Sequence, residues 1–122
     1  MQFLLVFLGG GLGSCCRYLI SKIINEQIET IFPWGTLMVN LIGCLIIGMI
    51  IGLIEKSPIH PYWGLFLVTG FCGGFTTFSS LSLDNNLLLR NQEYTLLLVY
   101  VFFSLLWGFA ATFIGLILIK RL

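Results

Sequence analysis

Few side chains in this chain can do chemistry, and they stand inside stretches that are otherwise apolar: Arg17, Asn40, Thr69, Thr76, Thr77, Ser79, Ser80, Ser104 and Thr112. Polar groups in such surroundings are costly, and they usually face a pathway or a partner. None of these residues is an acid, so a proton-coupled cycle finds no carboxylate to run on. The lone His60 builds no acid–base or metal cluster, and no enzyme is expected. Each hydroxyl taken singly is explained by a bond to the preceding helical turn. Asn40 is different, because its own helix does not easily satisfy a side-chain amide. A role in a pathway or an interface is expected for it.

Four of the hydroxyls fall in GFCGGFTTFSS, Gly70 to Ser80, together with three glycines. That composition suits a continuous lipid-facing helix poorly. Irregular backbone at membrane depth is tolerated where protein or a water-filled cavity satisfies its freed N–H and C=O groups. The freed carbonyls are cation ligands and the helix ends are ion-orienting dipoles. On this stretch alone, an ion site and a plain glycine-rich kink are both open readings.

The elements that must position these residues follow from composition. The chain has 122 residues, is 58% hydrophobic and 9% charged, and has a mean hydropathy of +1.04, far from a soluble globular domain. A helical crossing of the roughly 30 Å hydrocarbon core takes about 20 apolar residues, which leaves room for four crossings and short loops in a single domain, 1–122. The expected helices cover about 2–24, 34–54, 62–83 and 94–119. EKSPIHP, Glu55 to Pro61, reads as a proline-bounded turn, and DNNLLLRNQE, from Asp84, reads as a loop. Ile20, Ile23, Ile24, Ile28 and Ile31 recur at helical spacing beyond Arg17, as an amphipathic extension at the interface or packed on a partner. LGSC at Leu12 to Cys15 lacks the basic leader of a processed signal, so the first segment is expected to be retained.

A net charge of +1 offers no basic surface, and nucleic acid is not an expected partner. Cys15, Cys16, Cys44 and Cys72 read as packing thiols rather than a disulfide or zinc framework. Small residues four apart (Gly9 and Gly13, Gly48 and Gly52, Gly70 and Gly74, and the series Ser104, Gly108, Thr112) predict close helix packing in lipid.

Three blocks, GGGLGSCCRY (Gly9 to Tyr18), WGTLMVNLIGCLIIG (Trp34 to Gly48) and GFCGGFTTFSS (Gly70 to Ser80), resemble the signature blocks of the Fluc, or CrcB-like, fluoride channels. The resemblance covers nearly the whole chain. It implies an all-α integral membrane fold, with four transmembrane helices per subunit and the third broken in mid-membrane, assembled as an antiparallel dual-topology dimer. It further implies passive, fluoride-selective efflux across the bacterial inner membrane through two narrow pores, with membrane lipid around the assembly. A structural sodium ion would sit at the centre of the dimer, held by the main-chain carbonyls of Gly73 and Thr76. A β-branched residue at Gly73 would then restrict the backbone of the break.

Asn40, Ser79, Ser80, Tyr100 and Ser104 would supply hydrogen-bond donors to the anion. Phe78 would offer it the positive edge of a ring. Arg17 would set the potential near a pore entrance or anchor the first helix. The family typically reads TTFSTF, whereas this chain reads TTFSSL and so carries Leu81 in place of a second ring. Gly108 likewise falls where a third hydroxyl is common. Such a pore either tolerates both changes or belongs to a chain that pairs with a different subunit, making a heterodimer rather than a homodimer. Two other readings compete: a small dual-topology multidrug or cation exporter, which calls for an intramembrane acid, and a non-transporting membrane assembly subunit.

Overall fold

Long apolar runs without internal proline wind into four spans in the computed structural model, which describes residues 1–57 and 60–122. Pro58 and Ile59, part of the expected proline-bounded turn, lie outside the described residues. Helix α1 covers Gln2–Gln27 and α2 covers Trp34–Lys56. The third span, Pro61–Arg90, is composite. It opens with α3 (Pro61–Gly64), winds through a π-helical segment (Leu65–Cys72) into α4 (Gly73–Phe75), and resumes as α5 (Phe78–Arg90). The last span is α6 (Tyr94–Arg121).

Glycines set the two main seams. A Cβ on Gly9 would strike the Phe66 carbonyl, one on Gly13 the Phe71 carbonyl, and one on Gly74 the backbone of Gly10, so α1 lies directly on the π-helical segment and α4. In the second seam Gly48 faces the Thr112 carbonyl, Gly115 faces the Leu45 carbonyl and Gly52 faces Ile119. Helices α2 and α6 therefore run parallel, and Glu55 and Lys120 form an ion pair near their C-terminal ends. Close backbone approach of this kind is how helices associate where lipid removes the hydrophobic driving force. Gly108 is an exception to the expected stripe: a Cβ there would meet only the Cys44 sulfur, at 3.7 Å.

The sequence reading closes the third helix near Leu83 and makes Asp84 the start of a loop. The helix instead continues to Arg90, and the turn is confined to the residues around Gln92, which has φ 61°. The reason is local: Asn85 and Asn86 donate their side-chain amides back to the carbonyls of Leu81 and Ser82, and Leu88 is buried. Asp84 thus lies inside the third span, which corrects the expectation that no acid occurs there. Its carboxylate accepts from Tyr100 Oη at 3.0 Å.

Leu37, Leu81, Leu88 and Tyr100 form a buried cluster, with Phe32 edge-on to Tyr100 at 5.5 Å between ring centroids. The expected amphipathic extension stops at Gln27, short of Ile28 and Ile31, and leaves Ile23, Ile28 and Ile31 exposed, while Asn25 Oδ1 accepts the Gly35 N–H at 3.1 Å and so caps the first turn of α2. Phe3, Phe7, Phe109 and Phe113 point outward, as they can where the surrounding solvent is hydrocarbon.

Candidate functional site

The third span is interrupted at Thr76 and Thr77, whose backbones are extended (φ −79°, ψ 155° and φ −151°, ψ 119°). Thr77 caps the helix that follows, its hydroxyl accepting the Ser80 N–H at 3.1 Å. Across the gap from α2, Asn40 holds Thr77 by both ends of its amide. Its Oδ1 accepts the Thr77 N–H at 2.8 Å, and its Nδ2 donates to the Thr77 carbonyl at 3.1 Å. The side chain that its own helix could not satisfy thus stands in for the helical partners that the break removes. Thr76 Oγ1 donates back to the Cys72 carbonyl at 2.9 Å, as an ordinary helical threonine does.

The clamp also frees oxygen. The donor that would serve the Gly73 carbonyl four residues on is the Thr77 N–H, now bound to Asn40. The one that would serve Thr76 is the Ser80 N–H, now bound to the Thr77 hydroxyl. Two main-chain oxygens released from helical bonding fit a hard cation such as sodium. Among the described residues there is no cluster of three or more His, Cys, Asp or Glu side chains. Gly73 itself has helical dihedrals (φ −62°, ψ −36°), and a Cβ on it would meet nothing closer than the Val68 carbonyl at 3.9 Å. The backbone constraint expected at Gly73 therefore lies three residues further on, at Thr76 and Thr77.

Two cavities flank the break. One, of about 370 Å³, is walled by residues that include Asn40, Cys44, Cys72, Phe78, Leu81 and Ser104. The other, of about 330 Å³, is walled by Ser14, Arg17, Gly73, Thr76 and Ser79, among others. Phe78 borders both and is 79% exposed. Gly73 and Ser79 are exposed beside it. Arg17 Nε and Ser104 Oγ are buried and have no hydrogen-bond partner.

The break therefore gathers Arg17, Asn40, Phe78, Ser79, Leu81 and Ser104 around two adjoining spaces, with Gly73 and Thr76 between them. Ser80 stands slightly apart, accepting from the Thr77 hydroxyl at 3.3 Å. Tyr100 is not brought to this wall, because it is 0% exposed and bound to Asp84 in the buried cluster. Leu81 serves the cluster and the larger cavity together. The sequence reading missed Ser14, whose hydroxyl donates to the Gly74 carbonyl at 3.4 Å, and Cys44, treated only as packing.

Fold and site together define a class: four-span helical membrane proteins whose interrupted third span exposes backbone and polar side chains to two adjoining cavities. The family profile described as "CrcB-like protein, Camphor Resistance (CrcB)" matches residues 4–116, and the chain belongs to that family. It is 53% identical over 121 residues to a fluoride-specific ion channel FluC of Gloeothece citriformis, covering 99% of this chain and 98% of that one. It is 44% identical over 118 residues to the protein of the same name in Flavobacterium psychrophilum, covering 96% and 95%. A third, from Solibacter usitatus, is 42% identical over 122 residues, covering 99% of this chain and 100% of that one. The chain is a multi-pass membrane protein of a bacterial family.

Proposed function

We propose that this chain is a subunit of a fluoride-selective channel that releases the anion passively from the cytoplasm. Relatives of this chain are named fluoride-specific ion channel FluC. The observation that carries the reading is the Asn40 clamp, which holds a helix open at a cavity bordered by Asn40, Ser104 and the ring of Phe78. A small, strongly hydrated anion needs substitutes for its lost water. Hydroxyl and amide hydrogens, with the positive edge of Phe78, can provide them without a fixed charge that would trap it. Ser104 has its donor free. Asn40 keeps one amide hydrogen beyond the clamp.

Gly73, Phe78 and Ser79 are exposed beside the open backbone, and in this reading a second protein surface covers them. The reading adopted is an antiparallel pair of identical subunits inserted in both orientations. Leu81 and Gly108 leave a heterodimer with a second family member as the other arrangement. Covering the break by its own symmetry mate would bring together two copies of the Gly73 and Thr76 carbonyls. Those four oxygens would hold a structural sodium ion that neutralises the buried carbonyl dipoles and joins the subunits.

The exporter reading requires an acid on the transport path. Asp84 does lie within the third span, but it is bound to Tyr100 and borders neither cavity at the break. The assembly-subunit reading leaves the donor-lined cavity without a use. Expression in a bacterial strain made fluoride-sensitive by loss of its own exporter tests the proposal in cells. Restored growth in fluoride supports it, and continued sensitivity with the protein present in the membrane overturns it.

A further inference from the structure

Ser104, Gly108 and Thr112 lie four apart on α6 and so share one face. The cavity of about 370 Å³ at the break is continued along this face by another of about 220 Å³, walled by Cys44, Ser104, Gly108 and Thr112 among others. Cys44, Ser104 and Leu105 border both volumes, which therefore adjoin. Donors along this path are unevenly placed. Ser104 Oγ is buried without a partner, whereas the Thr112 hydroxyl already donates to the Gly108 carbonyl at 3.2 Å. Gly108 offers no side chain, and the atom that faces its missing Cβ is the Cys44 sulfur, at 3.7 Å. Between Ser104 and Thr112 the side-chain heteroatom nearest the gap is the Cys44 sulfur, reaching across from α2.

We propose that Cys44 contacts the transported anion, its S–H acting with the free Ser104 hydroxyl to carry fluoride past the side-chain gap at Gly108. The inference rests on the channel reading above and extends it to a residue on a different helix. A thiol is a weak donor, but fluoride is a strong acceptor, and a neutral thiol adds no charge to hold the ion back. A side chain at 108 would begin 3.7 Å from the Cys44 sulfur, so a hydroxyl placed there would face the same gap. Gly108→Ser is sterically open, since its Cβ would sit in ordinary contact with the Cys44 sulfur.

The test is fluoride release from liposomes reconstituted with the wild type, Cys44→Ala, Cys44→Ser and the double variant Cys44→Ala/Gly108→Ser, with assembly checked by size exclusion. Loss of a hydrogen bond to a charged group predicts about a tenfold fall for Cys44→Ala. Cys44→Ser keeps its flux, and the serine at 108 restores that of the alanine variant. In a background with Cys15, Cys16 and Cys72 replaced by alanine, methyl methanethiosulfonate stops release and adding Cys44→Ser confers resistance, a readout that holds even where Cys44→Ala does not assemble. Undiminished flux in assembled Cys44→Ala, or equal sensitivity to the reagent with and without Cys44→Ser in that background, overturns the inference alone. Wild-type vesicles that release no fluoride overturn the channel reading and this inference with it.

Discussion

Asn40 makes two bonds across 37 positions of sequence, one to the N–H and one to the carbonyl of Thr77. Its importance was legible in the sequence, because an amide in an apolar helix needs partners; their identity was not, because only the packing of α2 on the break supplies them. Asn40→Ala strands both backbone groups of Thr77, at a cost of about 1–3 kcal/mol for each one left unsatisfied. Thermal melting in detergent should therefore fall measurably, and fluoride flux should fall with it; wild-type melting would contradict the clamp. Phe78 is the complementary case. It is 79% exposed within one chain and so contributes little to the fold of that chain. Phe78→Ile should leave melting close to wild type while reducing flux severalfold, because bulk is kept and the ring edge is lost. Full flux in a well-assembled Phe78→Ile protein would place the anion elsewhere.

At the scale of the elements, hydrophobic runs located all four spans, and small-residue spacing located the first seam and the α2 side of the second, whose α6 side rests on Thr112 and Gly115 rather than on Gly108. The continuation of α5 to Arg90 was not legible, since Asp84, Asn85 and Asn86 read as loop formers. Here their side chains are occupied, by Tyr100 and by carbonyls one turn back. Nor does any residue pattern signal the π-helical winding of Leu65–Cys72. Seam and break glycines should respond differently to substitution. Gly48→Leu drives a side chain into the Thr112 backbone and should abolish recovery of folded protein by size exclusion. Gly73→Ala meets only ordinary contact within its own chain, so the subunit should fold. A loss of dimer in Gly73→Ala would then report the partner surface directly, and a dimer of wild-type yield and flux would argue against close subunit contact at this glycine.

At the scale of the whole molecule, orientation in the membrane depends on the distribution of lysine and arginine between the two ends. Lys22 and Arg90 lie toward one end, and Lys56, Lys120 and Arg121 toward the other. Arg17 adds to neither, because it lies roughly 15 Å along α1 from Gln27 at about 1.5 Å per residue, beside the break. Two charges against three is a weak bias. A cysteine introduced at Asn91, in the turn after α5, should be labelled from outside intact cells in only part of the population, whereas complete or absent labelling would contradict dual insertion. Symmetric assembly matters only if the assembled protein selects fluoride. The most direct measurement is therefore the release of fluoride and of chloride, side by side, from liposomes holding the purified wild-type protein. Rapid fluoride release with chloride retained is the predicted result. Equal release of the two anions, or retention of both by assembled protein, would contradict it.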